Sequence, residues 1–360
     1  MSVNVFTDVD HGPFTHERQA TRRPGRVATV NMFSESNPAQ ENTMRTLIYG
    51  AGPIGRWLAS RLHGGGADVT ILARSDTKVR LQRDGVVIHD GFTGEATTAH
   101  VPVVDALAPE DDYDLVVVPM RKSARLEILP ILAAAPKLGA VLLVGNDVTG
   151  TRACLEHLPQ DKVLLGFATC GGGMDGERMV MVDRSKPGGS VRPLHMGALG
   201  TPPTVLARRI AVFLKGAGVP TSLEDDMEGW LMYHFAFVGP IAGLILAAGG
   251  DLQAVANDNE ALRRFQRACR QAGDVLAAHG HTHRQPPIFN LFYWTPAWLA
   301  PKAFRPIFDS TFARIAFGLH MNAIGGELGE LADEFSTLQA TANVATPDMD
   351  SLMRHIPRSR

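Results

Sequence analysis

The feature that most constrains the fold is a glycine-rich turn between two short apolar segments. Residues Thr46 to Tyr49 predict a buried strand, and Gly50, Gly52 and Gly55 then form the pattern G-x-G-x-x-G at the start of a predicted helix. A second apolar run, Asp68 to Arg74, predicts the next strand. Strand, glycine turn, helix and strand in this order form the context in which the motif indicates dinucleotide binding.

Each glycine of the turn has its own physical role. The first permits the tight turn, the second lets the backbone approach a pyrophosphate, and the third lets the helix pack closely on the sheet. The N-terminus of the helix then faces the phosphates. Two residues inside the motif complete the turn, so the predicted cofactor-binding residues here are Gly50, Gly52, Pro53, Ile54 and Gly55.

The end of the second strand predicts which cofactor binds. An acidic residue roughly 20 residues past the glycines would hydrogen-bond the ribose of NAD. This chain has Arg74 and Ser75 at that point, with Lys78 nearby. A guanidinium and a hydroxyl suit the additional phosphate of NADP, which arginine binds through two parallel hydrogen bonds. NADP is therefore the predicted cofactor; a solvated surface arginine is the alternative.

Two further buried strands, Tyr113 to Pro119 and Ala140 to Val144, are each followed by polar residues. In open α/β sheets the residues just after the strand ends line the ligand crevice. Arg121, Lys122 and Asn146 are therefore crevice candidates, with solvated loop charges and a simple chain turn as the alternatives. More strands are predicted at Val163 to Phe167, Met179 to Val182 and His195 to Gly197.

Composition excludes several classes of protein. A net charge of -2 gives no basic surface for nucleic acid. The three cysteines are widely spaced and form no ligand cluster, which is typical of small buried hydrophobes in a reducing cytoplasm. The alternating histidines His279, His281 and His283 lack an acidic or cysteine partner nearby, so a polar turn is predicted there and no metal site.

The chain divides into three parts. Residues 1 to 43 mix charges, proline, serine and asparagine, and we interpret them as a flexible tail or as translation from a start codon placed too early. Residues 44 to 224 hold the predicted strands. Residues 225 to 360 are predicted to be helical, with an amphipathic helix from Asn259 and a long stretch, Phe312 to Leu338, interrupted by glycines.

An aromatic, proline-rich insertion lies at about residues 284 to 308 of the helical part. Its five prolines exclude one continuous membrane helix, so no transmembrane segment is predicted there. Its Phe, Tyr and Trp content is too apolar for an exposed linker. A lid over an apolar substrate, a dimer contact and attachment to a membrane surface are the three alternatives.

The order of these features resembles the ketopantoate reductase (2-dehydropantoate 2-reductase) family. The matching segments are GAGPIG, LARS, DLVVVPMRKSA, LLVGNDVTG, a Trp-led helix, GGELGEL and TPDMDSL. The resemblance implies an α/β fold: a Rossmann-type dinucleotide-binding domain is followed by an all-α domain like the C-terminal domain of 6-phosphogluconate dehydrogenase. It also implies a small-molecule substrate, a cytoplasmic location and a homodimer as one option.

The resemblance also implies roles for individual residues. The glycines and Arg74 would hold NADP, and Arg121 or Lys122 would match the basic residue near the nicotinamide. Asn146 would match the asparagine that borders nicotinamide and substrate. Glu327 would match the glutamate that holds the substrate hydroxyl, because its spacing to a later proline, Pro347, agrees with the family. Glu330 and Glu334 are one and two turns further along the same helix.

One departure from the family weakens the expected reaction. The Trp-led helix of the family carries a catalytic lysine and two asparagines at spacings of four, and here Met232, Ala236 and Pro240 stand at those positions. His234, Tyr233 and Lys122 are the candidates for the missing proton donor, although His234 lies about 200° around the helix from Met232.

The predicted function is therefore an NADPH-dependent reductase of a carbonyl or imine in a small, apolar substrate, or of ketopantoate itself. A non-catalytic NADP-binding sensor or scaffold of the same fold is the alternative, since the lysine and both asparagines are replaced.

Overall fold

The computed structural model describes residues 44–149, 151–200 and 202–358. The N-terminal segment 1 to 43 lies outside the described residues. The strands are β1 (Thr46–Tyr49), β2 (Val69–Leu72), β3 (Val86–Asp90), β4 (Ala96–Ala99), β5 (Val103–Val104), β6 (Leu115–Pro119), β7 (Ala140–Val144), β8 (Val163–Ala168), β9 (Gly171–Asp175), β10 (Arg178–Val182), β11 (Leu194–Ala198) and β12 (Thr221–Leu223). The helices are α1 (Pro53–Gly64), α2 (Ser75–Asp84), α3 (Lys122–Ala133), α4 (Val205–Gly216), α5 (Met227–Ala247), α6 (Leu252–Asn257), α7 (Asn259–Ala278), α8 (Leu291–Trp294), α9 (Ala300–Phe308), α10 (Thr311–Ala342) and α11 (Pro347–Met353).

The first domain is built on an eight-stranded sheet with the order β12-β11-β8-β7-β6-β1-β2-β5. From β5 to β8 all neighbours pair in parallel, while β11 runs antiparallel to β8. The four residues of β1 are all buried, as expected for a central strand with helices on both faces. The α/β fold class and the Rossmann-type sheet predicted from the sequence are confirmed.

A second, four-stranded sheet with the order β4-β3-β10-β9 lies beside the main one. The strand predicted at Met179 to Val182 is present as β10, and the structure places it in this second sheet, a division that the sequence analysis did not predict. Because apolar runs mark strands but not their partners, the hydrophobic pattern alone does not separate the two sheets.

The helical domain follows from α5 and has its own core, in which α5 packs on α7 and α11. Helix α5 is long and apolar enough to cross a membrane by length and composition, but most of it is buried inside the protein. Among the described residues it is the one helix that meets that test. Its apolar composition is explained by the two cores that it joins, since its first turns pack with the first domain and the rest with the helical domain.

Helix α10 connects the two domains. It runs without a break from Thr311 to Ala342, so the interruption predicted from its glycines was wrong. Thirty-two residues of helix extend about 48 Å, long enough to reach from the small sheet to the helical core. At its first turns Ala316 packs so closely on β9 that a Cβ added at Gly171 would lie 2.4 Å from the Cβ of Ala316.

The aromatic insertion contributes mostly to the helical core. Its four phenylalanines are fully buried: Phe292, Phe304 and Phe308 pack against Phe265 of α7, and Phe289 packs against Phe292. The rings of Phe265 and Phe292 meet edge to face, with centroids 5.3 Å apart. The inner side of the insertion is therefore a structural part of the domain, whereas Trp294 and Trp298 on its outer side are exposed.

Candidate functional site

The glycine turn has the close backbone packing that its motif predicts. Gly50 adopts a positive φ of 127°, which only glycine adopts readily. A Cβ at Gly55 would lie 2.0 Å from the carbonyl oxygen of Gly50, so a side chain at this position would separate helix α1 from the turn. A Cβ at Gly52 would meet no atom within 4 Å, and this side of the turn is open.

The N-terminus of α1 faces the same open side. Its N-cap residue is Gly52, no side chain caps it in the described part of the chain, and its first turn has no acidic residue. The side chain of Arg56 turns back and donates from Nε to the carbonyl oxygen of Ala51, at 2.8 Å. The unpaired N–H groups and the helix dipole together favour an anion, as a dinucleotide pyrophosphate requires.

At the end of β2, Arg74 and Ser75 are both exposed. The Arg74 guanidinium donates from Nη2 to the hydroxyl oxygen of Tyr49, at 3.2 Å, which holds it beside the end of β1. Lys78, in contrast, pairs with Asp105 at 2.6 Å. Of these two cations, Arg74 is the one whose charge is not paired with a carboxylate among the described residues, so it is the better candidate to bind a second phosphate.

A second group of polar residues forms where α10 crosses the carboxyl edge of the sheet. Asn146 follows β7, and its side chain lies beside the carboxyl group of Glu327 in α10, where it acts to lower the pKa of that group. The backbone N–H of Lys122, at the start of α3, acts on the same carboxyl in the same direction. The structure thus brings together two of the predicted site residues that are far apart in the sequence.

The carboxyl of Glu327 is buried, with 7% of the residue exposed. Burial raises its pKa above the ordinary glutamate value, although the positive charges of Arg125 and Arg121 act in the opposite direction. Arg121 itself is exposed and is the N-cap residue of α3. Gly326, the residue before Glu327, is exposed, and a Cβ added there would meet no atom within 4 Å.

Lys122 forms a buried ion-pair network between the domains. Its ammonium pairs with Asp147 at 3.0 Å, and it also donates to Glu334 of α10 and to the carbonyl of Thr149. The second oxygen of Glu334 accepts from the backbone N–H of Thr149 at 2.9 Å. With three acceptors around it, Lys122 holds α10 against the loop after β7.

Arg125 fixes the other side of this loop. It is 4% exposed and donates from Nη2 to the carbonyl oxygen of Asn146 at 2.7 Å and to Asp147 at 3.3 Å. Sequence reasoning missed Arg125 and Asp147. The sequence did contain an indication of both, because Asp147 directly follows Asn146 and Arg125 is one turn into the helix that begins after Arg121.

The helix α5 positions that depart from the family belong to the core of the helical domain. Ala236 and Pro240 are buried, and the half-buried Met232 packs against the same core. Tyr233 donates from its hydroxyl to the carbonyl of His281 at 2.5 Å, and burial raises its pKa to about 12. A phenol held in this way is a poor proton donor at neutral pH.

His234 lies in a column of rings on the other side of α5. Its ring centroid is 4.0 Å from that of Phe167 and 5.3 Å from that of Trp230, which in turn stacks on His195 at 4.6 Å.

Comparisons with known proteins agree with the fold described above. Residues 46–187 match the family model described as ketopantoate reductase PanE/ApbA. The chain carries a domain of the ketopantoate reductase family. The 2-dehydropantoate 2-reductase of Halobacterium salinarum is 29% identical over 130 residues, which are 36% of this chain. The match thus spans 42% of that relative's length.

The similarity in fold to solved structures covers most of the chain. The complex of D-mandelate dehydrogenase with NADH and anilino(oxo)acetate has a TM-score of 0.67 at 17% identity, over 86% of this chain and 96% of that one. The 2-dehydropantoate 2-reductase from Geobacter metallireducens GS-15 has a TM-score of 0.63 at 18% identity, over 87% and 99%. The helical domain therefore has the same fold as in ketopantoate reductase-like proteins.

Proposed function

We propose that this protein is an NADPH-dependent reductase that transfers hydride to the carbonyl or imine carbon of a small, apolar substrate. The observation that carries the proposal is the contact between Asn146 and Glu327, two functional groups from different domains at the carboxyl edge of the sheet. Polar residues at this edge of an open α/β sheet line the ligand crevice.

The cofactor side of the proposal rests on the open glycine turn. Gly52 and the uncapped start of α1 would hold the pyrophosphate, and Arg74 would bind the 2′-phosphate of NADP beside Ser75. When bound, NADPH supplies the hydride. The protein supplies position, charge and a proton.

For the proton we assign Glu327. Of the candidates in the sequence, Lys122 is held in the ion-pair network, Tyr233 in the core and His234 in the ring column. The carboxyl of Glu327 lies close to Asn146 at the carboxyl edge of the sheet, and its raised pKa makes it a better acid near neutral pH than an ordinary glutamate. Asn146 would orient the substrate oxygen toward it.

Arg74→Ala tests the cofactor. Loss of a bidentate phosphate contact should weaken NADPH binding by roughly tenfold or more, while NADH binding stays nearly unchanged. Fluorescence titration with both nucleotides measures this ratio. Equal losses for the two nucleotides, or no effect, would remove Arg74 from the 2′-phosphate site, and failure of the wild-type chain to bind either nucleotide would end the proposal.

Glu327→Gln tests the proton donor. The amide keeps the shape and the hydrogen bond partners but has no acidic proton, so kcat/KM should fall roughly 100-fold or more for the best substrate in a panel of 2-oxo acids, ketones and imines. NADPH binding should stay unchanged. In the wild type, activity should fall as pH rises through the pKa of Glu327, and this limb of the profile should vanish in the variant.

The replaced positions Met232, Ala236 and Pro240 favour one alternative, a non-catalytic NADP-binding sensor or scaffold. That alternative expects tight NADPH binding without turnover of any member of the panel. A measurement of product formation separates the two hypotheses, since both predict cofactor binding and only the reductase predicts a product.

A further inference from the structure

The segment from Trp294 to Trp298, which joins α8 to α9, exposes an unusual pair of side chains. Trp294 is 73% exposed and Trp298 is 76% exposed, whereas the other tryptophans, Trp57 and Trp230, are buried. The intervening residues Thr295, Pro296 and Ala297 carry no charge. Indole rings this exposed are typical of surfaces that meet a partner or a membrane interface.

The segment from Trp294 to Trp298 is held in place by hydrogen bonds from Gln266 and by packed phenylalanine rings. The side chain of Gln266, itself 2% exposed, donates from Nε2 to the carbonyl oxygens of Phe292 at 3.0 Å and Thr295 at 2.6 Å. The rings of Phe292 and Phe304 stack beneath it with centroids 4.9 Å apart. The tryptophans therefore project from a rigid base, which lowers the entropic cost of inserting them.

Cations surround a cavity next to Trp298. The cavity encloses about 450 Å³, and its lining includes Asn259, Arg263, Trp298, Lys302, Arg305 and Asp309. Arg263 pairs with Glu260 at 3.6 Å, and Arg305 donates to Asn259 at 3.3 Å. Among the residues that the structure describes, no carboxylate pairs with Lys302 or Arg305.

We propose that Trp294, Trp298 and this cationic cavity form a docking surface for membranes that contain anionic phospholipids. The indole rings enter the interface between headgroups and acyl chains, and Arg263, Lys302 and Arg305 bind the headgroup phosphates. This surface is separate from the nicotinamide site, and the proposal does not depend on the reaction.

Charge favours a membrane over a second copy of the chain. In a two-fold symmetric contact the same patch faces itself, and the lining of this cavity has more cations than anions, with Arg263, Lys302 and Arg305 against Asp309. Like charges at a desolvated contact oppose association. An anionic lipid surface instead offers phosphates to the cations and an apolar layer to the indole rings.

The test is flotation of the full chain with phosphatidylcholine vesicles and with vesicles that also contain phosphatidylglycerol. The wild type should float only with the anionic vesicles. Lys302→Gln with Arg305→Gln should weaken this binding about 25-fold, since each cation near the surface contributes about 1 kcal/mol. Trp294→Ala with Trp298→Ala should weaken it by about tenfold or more, because insertion scales with buried apolar area.

Arg208→Gln with Arg209→Gln is the matched control, since these exposed arginines lie on α4 in the first domain. This variant should bind anionic vesicles as the wild type does, and circular dichroism checks that every variant is folded. Absence of wild-type binding, or equal losses in control and test variants, would overturn the proposal. Dissociation of a dimer by the tryptophan variant, measured by sedimentation, would assign the surface to a second copy instead.

Discussion

The glycine turn before α1 and the loop after β7 lie at the same edge of one sheet, but they are built in different ways. The turn consists of consecutive residues and binds through backbone groups that a bound phosphate would satisfy. The loop is held by side chains from three elements, with Lys122 and Glu334 separated by 212 positions in the chain. A site of the first kind depends on local geometry, and a site of the second kind depends on how the domains dock.

The comparison predicts that the loop contributes more to stability than the turn. Lys122→Met would leave the carboxylates of Asp147 and Glu334 without their shared cation, and breaking a buried pair in this way costs about 3–5 kcal/mol. The free energy of unfolding in urea measures the loss.

Arg358→Met is the control for that prediction, because Arg358 pairs with Asp333 of the same helix α10 on the surface, at 2.7 Å. An exposed pair contributes about 0–1 kcal/mol. If the two variants lose the same free energy, the network around Lys122 does not hold the domains together.

Two substitutions in the glycine turn should affect stability and cofactor binding to different degrees. Gly55→Ala forces the new Cβ against the carbonyl oxygen of Gly50, so we expect a loss of about 1–3 kcal/mol in stability together with loss of cofactor binding. Gly52→Ala meets no atom within 4 Å, and its thermal midpoint should match that of the wild type.

The alanine at position 52 should nevertheless weaken NADPH binding about tenfold, since its methyl group would occupy the space that the pyrophosphate needs. Calorimetric unfolding and nucleotide titration of the two variants give the comparison. Unchanged affinity in Gly52→Ala would place the pyrophosphate elsewhere.

The smallest expected effect concerns the start of α5. Asp226 is the N-cap residue of this helix, and His281 lies 3.7 Å from its carboxylate. The interaction with His281 lowers the pKa of Asp226, and the same interaction raises the pKa of His281.

The pair therefore stabilises the fold most between pH 3.8 and pH 6.5, which are the pKa values of Asp226 and His281 in the unfolded chain. The contribution of His281 is lost as the pH rises through its raised pKa in the folded protein. Because both groups are partly exposed, His281→Gln should cost at most a few tenths of a kcal/mol at about pH 6 and nothing at about pH 8. The thermal unfolding midpoints of His281→Gln at the two pH values test this prediction, with His157→Gln, at an exposed histidine, as the control. An equal loss of stability at both pH values would contradict the prediction.

The residues differ in how far they could be predicted. Gly50, Gly52 and Gly55 were predictable because a turn of fixed spacing between two apolar strands has few other structural uses. Asn146 was a crevice candidate from its position after a buried strand, whereas its role beside the nicotinamide, and Glu327 altogether, were predicted only through the resemblance to ketopantoate reductases. The structure places the two side chains close together. Whether they act on a substrate stays a prediction.

The proton donor shows the limit of sequence reasoning. Lys122, Tyr233 and His234 have suitable chemistry, and nothing in their immediate sequence distinguishes them. Their neighbours in the structure do distinguish them. Lys122 is surrounded by carboxylates and a carbonyl, Tyr233 donates a hydrogen bond within the core, and His234 stacks between aromatic rings.

The sequence by itself determined the strand and helix order, the dinucleotide turn and the arginine beside it, because hydrophobic period and glycine spacing act over a few residues. Only the tertiary structure decided that β10 belongs to a separate sheet, that α10 is continuous, and that Glu334 pairs with Lys122. It also decided that the phenylalanines of the insertion are buried while Trp294 and Trp298 are exposed. These features depend on which distant surfaces pack together, and burial free energy summed over whole domains fixes that choice.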